Sequence, residues 1–423
     1  MILQALNAYY ERAEALPPVG WVRRGVDYIV VLDEQGQCIT IEMIGEQKKG
    51  KLIPRAMLVP AIGKQAMKHT NSGKDANLLW DNASFVLGSG KNGASKLSSF
   101  AETLQDWLGE LDDPGVKVVL RFCTNLQASP ESLVPLLERF GVQDDFELRD
   151  PILAFRLTSD IESVHARPAV REAFENALSS RQPVGGLRGN CLVTGDRNVP
   201  LAPNESVIKG VWGGQPAGCN IVSFNARAFE SYGKRERNGE NAPVSMRASF
   251  AYTTSLNYLL ASKQRIQVGD ASTVFWADRA DDLETALPDI FGEPPKDDPD
   301  RNTRAVHAMY SALHSGKLGG LEGENRFHVL GLAPNAARIS VRFYHCLPLR
   351  DLAMRILAHF EDMKVVHGKY DAEYPSLFRL LTAVSVLRKS DNIPPNLGGA
   401  VIDAVLAGPN APYPSPVSYT HLR

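Results

Sequence analysis

The sequence predicts an α+β fold, with mixed sheets and flanking helices through a large N-terminal region and then the start of a helical C-terminal domain. Three observations lead there. Strand-like and helix-period patterns alternate along the 423 residues without an internal repeat. A 44% apolar and 22% charged composition can bury sizeable cores, and a net charge of −2 excludes a mainly disordered chain. From Leu349 onward the pattern is helical, interrupted by Pro and Gly. The expected domains are residues 1–185, 186–348 and 349–423, with the first break at Pro183–Gly186.

The opening helix carries Leu3, Leu6, Tyr10 and Ala13 on one face and is stopped by Pro17-Pro18. DYIVVLD and CITIEMI read as strands around the turn EQGQ, and SFVL as a short strand. Phe100, Leu104, Trp107, Leu108 and Leu111 form a helical stripe that ends at Asp-Asp-Pro-Gly. VKVVLRF then reads as a buried strand, Leu133–Phe140 as a helix and ILAFRL as a strand. In the second half, SVIKGVW and NIVSF read as extended, APVSMRASFAYTTSLNYLLAS as a long helix and STVFWA as a strand. The acidic run from Asp278 to Asp300, with EPPKDDPD, reads as a mobile loop. A helix, FHVLGL and the strand RISVRFYH follow, then helices around Ser376–Leu387 and Leu397–Leu406.

No stretch approaches the roughly 18 unbroken apolar residues that a membrane span needs. The segment MILQALNAYYERAEAL has neither a basic leader nor a cleavable apolar core, so a soluble, cytoplasmic protein with no membrane partner is expected. The five cysteines are odd in number and show no CxxC spacing, which suits reduced core thiols. Catalytic motifs are thin. Gly45–Lys51 matches most of a phosphate-binding loop, but Leu52 stands where a hydroxyl is required and Pro54 follows. Gly88, Gly90 and Gly93 match GxGxxG between an apparent strand and a helix, and Arg121 near the end of the next apparent strand would suit NADP, leaving an NADP-dependent oxidoreductase as an alternative. His307 and His314 share a helix face without a third metal ligand. No enzyme activity and no cofactor are expected.

Charge is unevenly placed. Between Gly45 and Ser99, nine Lys/Arg face three acids, so this segment is +6 and the rest of the chain −8. Such a block suits either a polyanion site or a solvated lysine face. Within it, KHTNSGKDANLLWDN sets Lys68, Lys74 and Asn77 around a glycine turn, where lysine can contact phosphate and asparagine can read adenine. Trp80 reads as core. KGVWGGQPAG is a glycine-rich loop carrying Trp212 and Gln215, either a wedge for base pairs or a tight turn around a packed tryptophan. Strict alternation in RISVRFYH puts Arg338, Ser340, Arg342 and Tyr344 on one face, suited to phosphates and base stacking or to plain solvent exposure.

Taken together, MILQALNAYYERA, LVPAIGKQAMKHTNSGKDANLLWDNASFVLG, IKGVWGGQPAGCNIVSFNARAFESYGK, NAPVSMRASFAYTTSLNYLLA, TVFWA and HVLGLAPNAARISVRFYH make the chain resemble one family from Met1 to about Gly408. It resembles the large subunit of the type I-C CRISPR surveillance complex, Cascade. The resemblance implies a non-catalytic DNA-sensing subunit that works with guide CRISPR RNA and the other Cascade subunits. Such a subunit reads the target-flanking motif (PAM) of double-stranded DNA, helps open the duplex and helps recruit a helicase-nuclease. It also points to Lys74 and Asn77 as the leading flank-reading residues. Lys51, Lys68 and Gln215 follow from their chemistry, and Arg338 and Arg342 from their strand. The family continues after PYP into a larger helical domain, whereas this chain ends PSPVSYTHLR, so a missing C-terminal bundle with uncovered apolar helix faces is expected.

Overall fold

A computed structural model describes residues 1–48, 51–67, 73–181, 187–224, 227–234, 238–268, 271–315, 325–364, 366, 368, 373–394 and 396–415. The fold is α+β. The chain forms two compact units, Pro17–Val184 and a second one that joins Met1–Leu16 to Gly185–Arg423.

Helix α1 (Ile2–Arg12) buries Leu6 and Tyr9 and belongs to the second unit. The first unit contains strands β1 (Trp21–Val26), β2 (Tyr28–Leu32), β3 (Cys38–Met43), β4 (Glu46–Lys48), β5 (Lys51–Ile53), β6 (Arg55–Pro60) and β7 (Trp80–Asn82). Helices α2 (Ala83–Val86), α3 (Gly93–Leu108), α4 (Pro114–Ala128), α5 (Leu133–Phe140) and α6 (Gln143–Arg149) follow, then β8 (Ile152–Leu157) and α7 (Pro168–Ser180). Four strands pair in the order β3-β2-β8-β7, with β2 and β8 parallel and the other pairs antiparallel. β2 is buried on both faces. Val30 and Leu32 join the helix-covered core, while Ile29 and Val31 meet Val59 and Trp80 in a smaller core beneath the β1–β6 ribbon.

VKVVLRF, expected as a strand, is part of helix α4. Asp113 caps it by accepting the Val116 N–H at 3.1 Å, Pro114 occupies its first turn, and Val116, Val119, Cys123 and Leu126 bury one face at helical spacing. SFVL lies mostly in helix α2. These two corrections remove the strand–helix–strand context on which a dinucleotide site at Gly88–Gly93 depends. Gly93 serves packing instead: a Cβ there would lie 1.8 Å from the Gly88 carbonyl oxygen. The oxidoreductase alternative falls with that context.

In the second unit, β9 (Arg188–Gly189) and β10 (Val199–Pro200) form a small ribbon, followed by α8 (Asn238–Asn241), α9 (Met246–Ala261), β11 (Arg265–Val268), β12 (Ala271–Ala277), α10 (Leu283–Phe291), α11 (Arg301–His314), β13 (Arg326–Asn335), β14 (Arg338–Pro348), α12 (Leu349–Asp362), α13 (Leu377–Ala383) and α14 (Leu397–Ala407). An antiparallel sheet, β11-β12-β13-β14, divides two cores. Val274, Trp276, Leu330 and Ile339 face α1 and α9, whereas Phe275, Phe327, Val329 and Phe343 face the helices from α10 onward. The helices after Leu349 therefore share a core with this sheet.

The acidic run is not simply a loop, because Leu283, Leu287, Ile290 and Phe291 form the buried face of α10. SVIKGVW and NIVSF are not strands of a sheet. Each makes only isolated bridges, and the half-buried Glu205 carboxylate accepts the N–H groups of Ile221 and Val222 at 2.5 and 3.0 Å.

Candidate nucleic-acid interface

Two surfaces, one in each unit, carry the residues singled out by chemistry. In the first unit, the basic segment is organised around buried Asp81. Its two carboxylate oxygens accept the backbone N–H of Asn77 at 2.7 Å and of Asn82 at 2.8 Å, fixing both ends of a tight loop. Burial pushes the Asp81 carboxyl up to about 6, against the pull of those N–H groups. The Trp80 indole donates to the Pro60 carbonyl at 2.8 Å, and the Gln65 amide donates to the Ala76 carbonyl at 3.1 Å, tying the loop to β6 and the following turn. The Arg24 guanidinium lies 5.6 Å from the centre of the Trp80 ring; burial lowers its pKa, and the Asp81 charge opposes that shift.

On this frame Lys74 is exposed, and its carbonyl is held by the Ser99 hydroxyl. Asn77 is not available to read a base edge. It is 2% exposed, its side chain hydrogen-bonds to Asp81, and its Oδ1 is buried without a protein partner. Arg55 and Lys91 are exposed, whereas Lys96 is engaged, donating to Ser84 Oγ at 3.0 Å and lying 5.0 Å from the Phe85 ring centre. Lys51 opens β5 opposite Lys48 in the β4–β5 hairpin. Lys68 lies outside the described residues.

The second surface begins at the glycine-rich loop. Ile208 and Cys219 exchange two backbone hydrogen bonds of 2.8 Å and close it. Asn257 Oδ1 accepts the Lys209 N–H at 2.8 Å, and Ser272 Oγ accepts the Trp212 N–H at 2.9 Å. Gly218 is required where it stands: its φ is +103°, and a Cβ there would lie 2.8 Å from Val207 Cβ. The backbone is pinned, yet the Trp212 side chain is 63% exposed and Gln215 is exposed. Gly213 approaches Pro334 near the β13–β14 turn, and Asn220 bridges to Arg338 just beyond it. The structure therefore brings Gln215 and Arg338, distant in sequence, to one edge of the unit.

Alternation in β14 does not survive intact. Gly331 pairs with Phe343 but Leu332 pairs with Val341, so Arg342 is the extra residue of a bulge and the strand changes faces there. Ile339 and Phe343, expected on one face, enter different cores. Tyr344, expected beside the arginines, turns inward, with its hydroxyl 2.8 Å from His328 Nδ1 and its ring stacked on that imidazole. Arg342 remains exposed. The aromatic partner of Arg338 is instead Phe229, whose ring centre lies 3.9 Å from the guanidinium carbon. Phe229 and the neighbouring Tyr232 escaped the sequence reading, although the interleaved aromatics and cations of NARAFESYGK are a signal for such a surface.

From residue 6 to residue 421 the chain matches the family described as CRISPR-associated protein (Cas_Csd1). The chain belongs to that family. No curated protein was found to match it. Cas_Csd1 is the large subunit of type I-C Cascade, a generally non-catalytic component that implies guide RNA and other Cascade subunits as partners. The Cas_Csd1 match runs past Ser415, where the sequence reading sets a departure; residues 416–423 lie outside those described. Among the described residues, no group of His, Cys, Asp and Glu is arranged to hold a metal ion, and no helix is long and apolar enough to cross a membrane. His307 and His314 are engaged separately, with Glu373 and with the Tyr310 carbonyl.

Proposed function

We propose that this chain is the non-catalytic Cascade subunit that recognises the target-flanking motif in double-stranded DNA, helps unwind the duplex for guide RNA pairing and supports recruitment of the helicase-nuclease in the cytoplasm. The observation that carries the reading is the Asp81-braced loop, which holds Lys74 outward within a segment of +6. In this reading Lys74 contacts phosphate beside the flank, with Lys51 and Lys68 adding charge from the same segment. Trp212 and Gln215, on a loop whose backbone is fixed, supply the wedge, and Arg338 and Arg342 hold the parted strands by their phosphates. Target sequence is left to base pairing with the guide.

The test is duplex binding by the guide-RNA complex reconstituted with and without this chain, on targets with and without the flank. Flank-dependent binding that needs the chain and weakens in Lys74→Ala supports the reading; binding indifferent to the chain overturns it. The burial of Asn77 favours one second reading, an architectural subunit that binds protein and RNA without reading DNA. That reading predicts unchanged flank preference in both Lys74→Ala and Asn77→Ala.

A further inference from the structure

We propose that Asp81 and Asn77 form a proton-operated latch on the loop that presents Lys74. In the closed loop a proton bridges the Asp81 carboxyl and the side-chain carbonyl of Asn77. When that proton leaves, the loop is held less tightly. The inference deepens the reading of this loop as a phosphate site, yet the latch itself needs only the chain.

Unmet bonding is the first argument. Asp81 is fully buried and Asn77 is 2% exposed. As an anion, Asp81 accepts the N–H groups of Asn77 and Asn82 at 2.7 and 2.8 Å, together with a bond from the Asn77 side-chain amide. The Oδ1 of that amide is left buried without a protein partner. A protonated carboxyl resolves this, because it keeps lone pairs for the N–H donors and adds one O–H. Acid and amide then face each other as a reciprocal pair, Nδ2–H to the carboxyl and O–H to Oδ1. Strain is the second argument. Leu79, between the two bonded N–H groups, has a φ of +62°, which a leucine keeps only under restraint. Weakening the Asp81 bonds therefore releases the loop rather than leaving it in place.

Charge is the third argument. Burial disfavours the anion and pushes the Asp81 carboxyl from 3.8 up to about 6. Two charged groups face it with opposite effects. The Arg24 guanidinium of β1 favours the anion, and the Asp150 carboxylate ahead of β8 favours the acid. Asp150 is itself fixed: it accepts the Ser84 N–H at 2.7 Å and the Ser84 hydroxyl at 2.8 Å, while Lys96 donates to that hydroxyl at 3.0 Å. The closed loop therefore holds the proton up to about pH 6, and an opened, hydrated loop only to about 3.8. Between those values each rise of one pH unit disfavours closure by up to about tenfold, and above 6 nothing further is lost.

The experiment is amide hydrogen exchange on the full chain from pH 4 to 7.5, in wild type, Asp81→Asn and Asn77→Asp. Each rate is divided by that of an unstructured peptide at the same pH, and amides of helix α4 serve as the reference within the unit. In the wild type, protection of the Asn77 and Asn82 amides relative to α4 should fall by up to about tenfold per pH unit and level off above 6. Asp81→Asn cannot titrate, so its protection, lower for the lost acceptor, should not change with pH. In Asn77→Asp two carboxyl groups share one proton, so the fall should continue above pH 6. Wild-type protection that stays flat relative to α4 overturns the proposal without recourse to a variant. An Asn77→Asp profile identical to that of the wild type also overturns it, because the proton then does not lie between the two side chains. Affinity for a labelled duplex at both ends of the range keeps this inference apart from the phosphate reading. A gap between wild type and Asp81→Asn that changes with pH ties the latch to Lys74, whereas equal affinities beside a working latch count against the phosphate reading alone.

Discussion

The lysine loop of the first unit and the aromatic edge of the second are built in opposite ways. In the first, the tryptophan is interior: Trp80 and Asp81 are sunk in the core, and among the described residues of the loop Lys74 is the cation that reaches solvent. In the second, the tryptophan is exterior: backbone bonds do the bracing, and Trp212 and Tyr232 reach solvent as rigid rings. A buried frame that offers a point charge suits a duplex backbone, whose phosphates are the same at every sequence. A surface of rings suits a wedge, which parts base pairs by lying against their faces.

Removing each tryptophan tests that contrast most severely. Trp80→Ala deletes a fully buried ring and its bond to Pro60, and should destabilise the first unit by about 3–5 kcal/mol. Trp212→Ala should change stability by no more than about 0.5 kcal/mol. Thermal denaturation of the two variants measures the difference, and comparable losses would mean that the glycine-rich loop is part of a core. Next in size is Asp81→Ala, which strands the buried N–H groups of Asn77 and Asn82. The expected cost is about 2–3 kcal/mol, read in the same assay, and flank preference should weaken with it because Lys74 loses its frame.

How much of this was legible in the sequence differs between the two surfaces. Helix α9, capped by Ser245, and strand β8 follow local patterns and lie where periodicity sets them. VKVVLRF misled because its branched residues fit both periods; the preceding Asp-Asp-Pro-Gly, which follows the end of α3 at Leu108, caps the next helix through Asp113. The exposure of Lys74 follows from a polar turn, but the burial of Asn77 depends on Asp81, an acid that sequence gives no reason to place inside. Arg338 meeting Phe229 joins segments far apart in the chain, and the bulge at Arg342 shifts every later side chain of β14 by one face. Neither leaves a local trace.

The interior of the first unit also carries opposed pH dependences. Burial holds the His165 imidazole down to about 4, so the fold favours its neutral form; that contribution is whole above about 6.5 and is lost as pH falls toward 4. Asp81, pushed up to about 6, behaves in the opposite sense, with a contribution present below its ordinary value of 3.8 and lost as pH rises through 6. Denaturant midpoints from pH 4 to 7.5 should therefore rise less steeply with pH in His165→Phe than in the wild type. In Asp81→Asn they should rise more steeply. Equal slopes in all three proteins would place both groups in contact with water.

The smallest effect separates the two surfaces by salt. Lys74→Ala removes one phosphate contact from the duplex site, so the slope of log affinity against log salt should fall by about 1, with weakening spread evenly over all duplex sequences. Trp212→Ala removes the proposed wedge, a ring that releases no counterion, so duplex affinity should fall at every salt concentration with the slope unchanged. If Trp212→Ala instead lowers the slope, the ring acts by orienting its neighbouring cations toward phosphate rather than by parting bases. The aromatic edge would then be a second charge surface, and the division between a site for backbones and a site for bases would collapse.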